Sequence, residues 1–317
     1  MNLPVNIREK LDELAASEDI KRLEKAAVRL SENYRRGEHI SASDKTELLA
    51  YSIVRRPATF GAVSRALELS LELYGDVIGS VLDAGAGTGA AAIAAEALTD
   101  CSDIICLERE GGMRELGHIF APHLRWLECD ITKDIDEKAD LVLCSYCLNE
   151  LSDDCRSSVT AALAKAANKL LLIVEPGTPR SFEAMRKTRE ELLALGMNII
   201  APCPGNGTCP LPRDDWCHFT ARIARSKLHK RLKGGDAPYE DEKFCFLAAA
   251  WECSDKDTGV QSSARIIRHP IIEAGKITLR LCSENGITDK LVTRSDPLFK
   301  RARKADTGDI WQLTGKE

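Results

Sequence analysis

Residues 79–98, GSVLDAGAGTGAAAIAAEAL, confine this chain to a narrow set of folds. Val81 and Leu82 end an apolar run of strand character. Gly85, Gly87 and Gly89 then let the backbone turn and approach a ligand closely. Ala90 to Leu98 is strongly helix-forming. Strand, glycine loop and helix in this order mark a nucleotide-binding unit of an α/β sheet. DIICLE follows and ends at Glu108, and LRWLECD ends at Asp130. ADLVLCSY and KLLLIVEP supply two more strand-like runs, with helical patterns between them. Alternating strands and helices predict a doubly wound α/β domain.

An acid at the end of the second strand is placed to accept hydrogen bonds from both ribose hydroxyls, and Glu108 stands there. The loop also meets the G-x-G-x-x-A form of a dinucleotide site at Gly85, Gly87 and Ala90, a weak motif alone. Headed by Asp83, its D-x-G-x-G-x-G form resembles motif I of class I S-adenosylmethionine methyltransferases. That resemblance implies glycines against the methionine part of the cofactor, Glu108 on ribose and Asp130 at adenine. S-adenosylmethionine is therefore the expected cofactor, ahead of a nicotinamide, a flavin or a vestigial pocket. Catalytic residues are harder to find, because methyl transfer from a sulfonium works chiefly by positioning. After the fourth strand SYCLNEL lacks both Asn-Pro-Pro-Tyr and Pro-Cys. Asn149 and Glu150 are candidates to face a substrate, but they start and cap the next helix more readily. Glu175-Pro176-Gly177 is a candidate to shape the pocket.

A second signal lies downstream. CPGNGTCPLPRDDWCHF (203–219) holds Cys203, Cys209 and Cys217 in a C-x5-C-x7-C spacing. Thiolates suit zinc or iron–sulfur centres. Pro204, Pro210 and Pro212 stiffen the segment and its glycines let it turn. Three thiolates are one short of a closed site. Cys245, Cys253, Cys282 and His218 are candidates for the fourth ligand. Cys282 is preferred, because it ends the strand-like KITLRLC and precedes the turn SENG. Cys245 sits in the apolar FCFLAAAW, where a buried inert thiol is expected. The spacing matches neither a zinc ribbon nor a ferredoxin run, so both metals stay open.

The chain has 317 residues, 12 cysteines and a net charge of −5. Its length allows two domains. The first 75 residues are helical in pattern. Their acid-rich start reads as neither signal peptide nor transit peptide, so a reducing compartment without disulfides is expected. No run is apolar enough for a membrane span. The acidic excess lies in residues 1–200, and the balance turns basic beyond. Arg222, Arg225, Lys230 and Arg231 fall in a stretch without acids, and KRARK (300–304) follows later. Such patches neutralise phosphates without reading sequence. Arg265 and Arg268 in RIIRHP add to this half. Arg55 and Arg56 read as phosphate contacts or as solvated helix-end charges. KFCFLAAAW, SARIIRHP and KITLRLC predict a small β-rich module beside the cysteine loop.

Taken together, RRPATFGAV, VLDAGAGTGAA, CPGNGTCPL with DWCHF, RIIRHP, LRLC and RARKADTGD resemble one family. It comprises the methyltransferase-like proteins associated with the mitochondrial small ribosomal subunit and their bacterial relatives. YRRG (34–37) belongs to the same set of marks. The resemblance implies a class I methyltransferase (Rossmann-like) fold with a helical leader (1–75), a cofactor domain (76–200) and a cysteine-bearing, RNA-binding β-rich module (201–317). It implies a [4Fe–4S] cluster on Cys203, Cys209, Cys217 and Cys282, with zinc as the alternative. It implies small-subunit ribosomal RNA as partner, with no membrane and no DNA. A bacterial-type, cytoplasmic member is expected, or a mitochondrial matrix protein if the source is eukaryotic. RNA methylation and non-catalytic subunit assembly remain as two functions, with a nicotinamide oxidoreductase a distant third.

Overall fold

The computed structural model describes residues 2–36, 44–252 and 263–313. Helices α1 (Val5–Ala16) and α2 (Ile20–Arg36) precede α3 (Lys45–Tyr74). Asp44 caps α3 by accepting from the Thr46 N–H at 3.1 Å, and Gly75 ends it at φ 69°. Pro57 lies inside this helix. Leu49, Ile53, Phe60, Val63 and Leu67 explain its continuity: they bury one helical stripe. That burial exceeds the roughly 3 kcal/mol an internal proline costs.

Then β1 (Ser80–Ala84), α4 (Ala90–Leu98), β2 (Asp103–Glu108), α5 (Gly111–Phe120) and β3 (Arg125–Glu128) alternate. They are followed by β4 (Ala139–Ser145), α6 (Asp153–Ala166), β5 (Ala167–Pro176), α7 (Pro179–Ala194) and β6 (Asn198–Ala201). Next come β7 (Phe219–Ala224), the short α8 (Lys227–Lys233) and β8 (Tyr239–Ala250). The strands order as β3-β2-β1-β4-β5-β8-β6, with β7 also on β8. β1 to β5 pair in parallel, and β8 runs antiparallel to β5. This is the class I methyltransferase-like fold. Alternate strand residues supply two cores. Val81, Leu141 and Leu172 face α3 and α4, while Leu82, Val142 and Leu171 face α6 and α7.

The main sheet runs past residue 200, beyond the boundary expected from the cysteine block. KFCFLAAAW is β8, inside that sheet rather than in a separate module. Phe244, Phe246 and Ala248 bury one face of it, and Cys245, Leu247 and Ala249 the other. A strand apolar on both faces needs cover on both sides, which a small module does not offer. β6 pairs with one end of β8 and β7 with the other. The cysteine loop, 202–218, therefore leaves the sheet edge between them. The separate module is smaller than expected. It holds β9 (Ser263–Ile266), β10 (Ile271–Glu273), β11 (Lys276–Ser283), β12 (Gly286–Thr293), α9 (Phe299–Ala302) and β13 (Ile310–Gln312). Ile277, Leu279, Leu281 and Trp311 form its own core. Arg65 of α3 ties it down through Asp309 at 2.9 Å. Among the described residues no helix is long and apolar enough to cross a membrane.

Candidate functional site

The glycine loop and the ends of β2 and β4 open at the carboxyl edge of the sheet, where such sheets bind ligands. A cavity of about 390 Å³ lies there, roofed by Tyr51, Arg56 and Thr59 of α3. Gly85, Gly87, Glu108, Asp130 and Glu150 line it. Glu108 is 9% exposed. Its Oε2 accepts from the Gly87 N–H at 2.7 Å and its Oε1 from the Glu110 N–H at 2.8 Å. The carboxylate is thus held fixed with lone pairs left for a ligand's hydroxyls. Asp130 accepts from the Thr132 hydroxyl at 2.7 Å, which holds its carboxyl below the usual range. Gly85 sits at φ 73°, and a Cβ there would meet Cys147 Sγ at 2.4 Å.

Other expected site residues stand apart from the cavity. Asp83 lies buried beneath the loop, and its Oδ2 accepts from the Ala92 N–H at 3.0 Å. Burial pushes it up to about 7, against the pull of that bond. Its place is at the start of α4, and Gly89 likewise lies outside the lining. Asn149 is not part of the lining, and its backbone N–H donates to Glu175 Oε2 at 3.3 Å. Buried Glu175 also accepts from the Leu148 N–H at 2.8 Å, so it holds the loop after β4.

A second cavity, of about 290 Å³, gathers the cysteines. Cys203, Cys209, Cys217 and Cys282 all line it. Cys282 stands on β11 opposite Arg265 of β9. Cys245 lines it too, but its thiol donates to Pro176 O at 3.4 Å. His218 stacks on Trp216 at 5.2 Å and is not part of the lining. Cys253 lies outside the described residues. Burial pushes the Cys217 thiol up, and Cys203, Cys282 and Cys209 raise it further. Cys282 is pushed up to about 12 by burial, then by Cys203 and Cys209. Two buried guanidiniums attend the thiols. Arg189 donates to Gly205 O at 2.9 Å and Gly207 O at 2.6 Å. Arg265 donates to Pro202 O at 3.0 Å and Gly308 O at 2.6 Å. Among the described residues no three His, Cys, Asp or Glu side chains are grouped to hold a metal ion.

The family profile described as mitochondrial small ribosomal subunit Rsm22 matches residues 45–312, from the start of α3 to the end of β13. The chain belongs to the Rsm22 family. Among curated proteins no relative matches it. Solved structures similar to it include magnesium protoporphyrin IX methyltransferase from Synechocystis PCC 6803 with bound SAH. That likeness has 15% identity and a TM-score of 0.42, over 71% of this chain and 94% of that one. A TehB-like SAM-dependent methyltransferase from Corynebacterium glutamicum has 15% identity and a TM-score of 0.40, over 73% of this chain and 98% of that one. The strand order, rather than these distant likenesses, carries the fold class.

In this Rsm22 chain the basic residues are less free than their spacing suggests. Arg265 is 4% exposed and fastens loops to each other, so it is not a surface contact. It lies on β9, whose side chains are buried on both faces. Arg268 pairs with Asp215 and donates to Trp216 O at 3.0 Å, clamping the cysteine loop. Arg222 pairs with Asp241 at 2.8 Å and Arg231 with Glu24 at 2.7 Å, all at exposed sites. Arg225 and Lys230 are half-buried on either side of the start of α8. Among the described residues Lys230, Lys300, Arg303 and Lys304 take part in no ion pair.

Arg55 and Arg56 meet neither expectation set for them. Arg55 pairs with Glu242 at 3.3 Å and lies 5.3 Å from the Tyr146 ring centre. Arg56 is buried within the core stripe of α3. The stripe itself was the missed signal, because position 56 falls three residues after Ile53 and four before Phe60. Tyr146 was also missed. It is a non-glycine residue at φ 58°, and its hydroxyl donates to Glu242 Oε1 at 3.0 Å. Nothing in SYCLNEL announces a left-handed tyrosine.

Proposed function

We propose that this Rsm22 chain binds S-adenosylmethionine in the α3-roofed cavity and methylates small-subunit ribosomal RNA. The placement of Glu108 carries the reading. It is a rigid carboxylate at the tip of the second strand, facing the same space as the glycine loop and Asp130. Bound there, the cofactor supplies an activated methyl group. The protein's part is to hold ribose on Glu108, to shield the site with α3 and to aim the acceptor. Calorimetry with S-adenosylhomocysteine tests the reading. Glu108→Ala should weaken binding about 10- to 100-fold, since a hydrogen bond to a charged group contributes about 1.5–3 kcal/mol. An intact protein that binds NADH and not S-adenosylhomocysteine would overturn it.

One observation favours the second reading, a non-catalytic assembly factor. Of the two candidates after β4, Glu150 alone lines the cavity. Mapping ribosomal RNA methylation with and without the protein separates the two. Both readings share docking on the small subunit, in the compartment of the ribosome served: mitochondrial matrix or bacterial cytoplasm. Arg222, Arg225, Lys230 and Arg231 are the proposed contacts, with Lys300 and Lys304. The exposed ion pairs of Arg222 and Arg231 contribute little and exchange readily for phosphates. Neutralising Arg222, Arg225, Lys230 and Arg231 should lower the salt dependence of binding by roughly 0.7–0.9 log units per lost phosphate contact. An unchanged slope in co-sedimentation at graded salt would remove these residues from the interface.

For the cysteine cavity we propose a [4Fe–4S] cluster on Cys203, Cys209, Cys217 and Cys282, with zinc as the alternative. What supports it is that all four line one cavity and that thiolates suit either centre. Arg189 and Arg265 offset the charge that four thiolates would bring. The role proposed is structural: the group would join the cysteine loop to β11.

A further inference from the structure

Resting on the S-adenosylmethionine reading, we propose that Arg56 of α3 binds the carboxylate at the amino-acid end of the cofactor.

Arg56 lines the same cavity as Glu108, yet is 1% exposed. Its Nη1 donates to Thr88 O, inside the glycine loop, at 2.5 Å. Its guanidinium carbon lies 4.1 Å from the centre of the Phe120 ring. Nε and Nη2 are buried and have no hydrogen-bond partner. Among the described residues no carboxylate stands within ion-pair distance of Arg56. A buried cation with two idle donors is costly unless an anion completes it. Burial accordingly pulls it down to about 9, partly offset by Cys106 and Asp83. The Arg56 guanidinium remains charged at neutral pH.

The surroundings favour an anion of small size. α4 begins at Gly89 with no side-chain cap and no acid in its first turn, although Asp83 beneath the loop takes its Ala92 N–H at 3.0 Å and so shares the positive potential of that end. Ala90 of that turn and Thr59, three residues along α3, also line the cavity. The cavity thus offers both kinds of group, with Arg109 of its lining 4.0 Å from Asp130. Glu108 and Asp130 supply acceptors for ribose and adenine donors, and Arg56 supplies donors. S-adenosylmethionine has the matching asymmetry, with two ribose hydroxyls at one end and a carboxylate at the other. Arg56 would also couple ligand to loop, because its third nitrogen already holds Thr88.

The test compares S-adenosylhomocysteine with 5′-methylthioadenosine, which keeps the nucleoside and sulfur but lacks the amino-acid tail. The full chain is titrated with each by calorimetry, as wild type, Arg56→Met and Arg56→Lys. The wild type should prefer S-adenosylhomocysteine by about 10- to 100-fold. Arg56→Met should remove that preference while leaving 5′-methylthioadenosine affinity unchanged. Arg56→Lys should keep part of it, since a point charge replaces a two-pronged donor. If Arg56→Met does not fold, the wild-type ratio and the lysine variant decide. Equal wild-type affinities overturn the proposal, as does an equal loss for both ligands in either variant, which would leave Arg56 a strut for the loop. A wild type that binds neither ligand instead sinks the S-adenosylmethionine reading, and this inference with it.

Discussion

Gly85→Ala should abolish S-adenosylhomocysteine binding, and Cys147→Ala in the same chain should bring part of it back. The cause is local. Gly85 sits at φ 73°, and an added Cβ would lie 2.4 Å from Cys147 Sγ but 3.6 Å from Cys147 Cβ. Removing the sulfur therefore turns a clash into ordinary contact. What remains is the backbone strain of a left-handed alanine, of order 1 kcal/mol. The single variant also bears an overpacking cost of about 1–3 kcal/mol, relieved by moving the loop. Loop movement takes the Gly87 N–H away from Glu108 Oε2 and disturbs the ribose acceptor. Binding should fall by at least about 100-fold in the single variant and recover about tenfold or more in the double. The buried strands beneath are untouched, so melting should shift by only a few degrees. Full-strength binding by Gly85→Ala would show that the ligand does not lie against this loop. The same variant also divides the two functions. Loss of ribosomal RNA methylation with normal assembly indicates an enzyme. Normal methylation with defective subunits indicates an assembly factor.

Legibility followed the range of the interactions involved. The strand–loop–helix unit was readable because its signals are local: apolar β1, three glycines and an alanine-rich α4 adjoin in the chain. Glu108 and Asp130 were singled out by equally local signals, each ending a strand-like run, and both line the cavity. The membership of β8 was not. KFCFLAAAW reads as a buried strand anywhere, and only its pairing with β5 and β6 places it in the main sheet. Arg265 and Arg268 carried charge, and charge in a sequence says nothing of burial. Arg265 is fixed by two carbonyls that come from residues 202 and 308, far apart in the chain. Arg56 failed in the opposite way, because a charged residue within a core stripe was read for its charge and not for its position. Cys282 was placed with Cys203, Cys209 and Cys217 on local grounds and by resemblance, and all four line one cavity.

Serine at Cys203, Cys209, Cys217 or Cys282 should each bleach a protein that is brown when purified without oxygen. The unaltered chain should then carry about four irons and four sulfides. Cys245→Ser should keep the colour, because the Cys245 thiol is already engaged with Pro176 O on the strand side of the cavity. The effect on stability should be large and regional. Phe182, Leu211 and Ile267 form only a small apolar cluster where α7, the cysteine loop and the C-terminal module meet. Arg189 and Arg265 would remain buried there after the loss of their anionic partners. Leaving buried charge uncompensated costs about 3–5 kcal/mol, enough to lower melting by about 10 °C. The loosening should appear first as proteolytic cutting within residues 202–218, while the cofactor cavity, built on β1, β2 and β4, still binds S-adenosylhomocysteine. Ribosome docking should fail in the same variants if the cluster holds the basic surface together. Stoichiometric zinc without iron in anaerobic preparations would instead make this a mononuclear site and overturn the cluster.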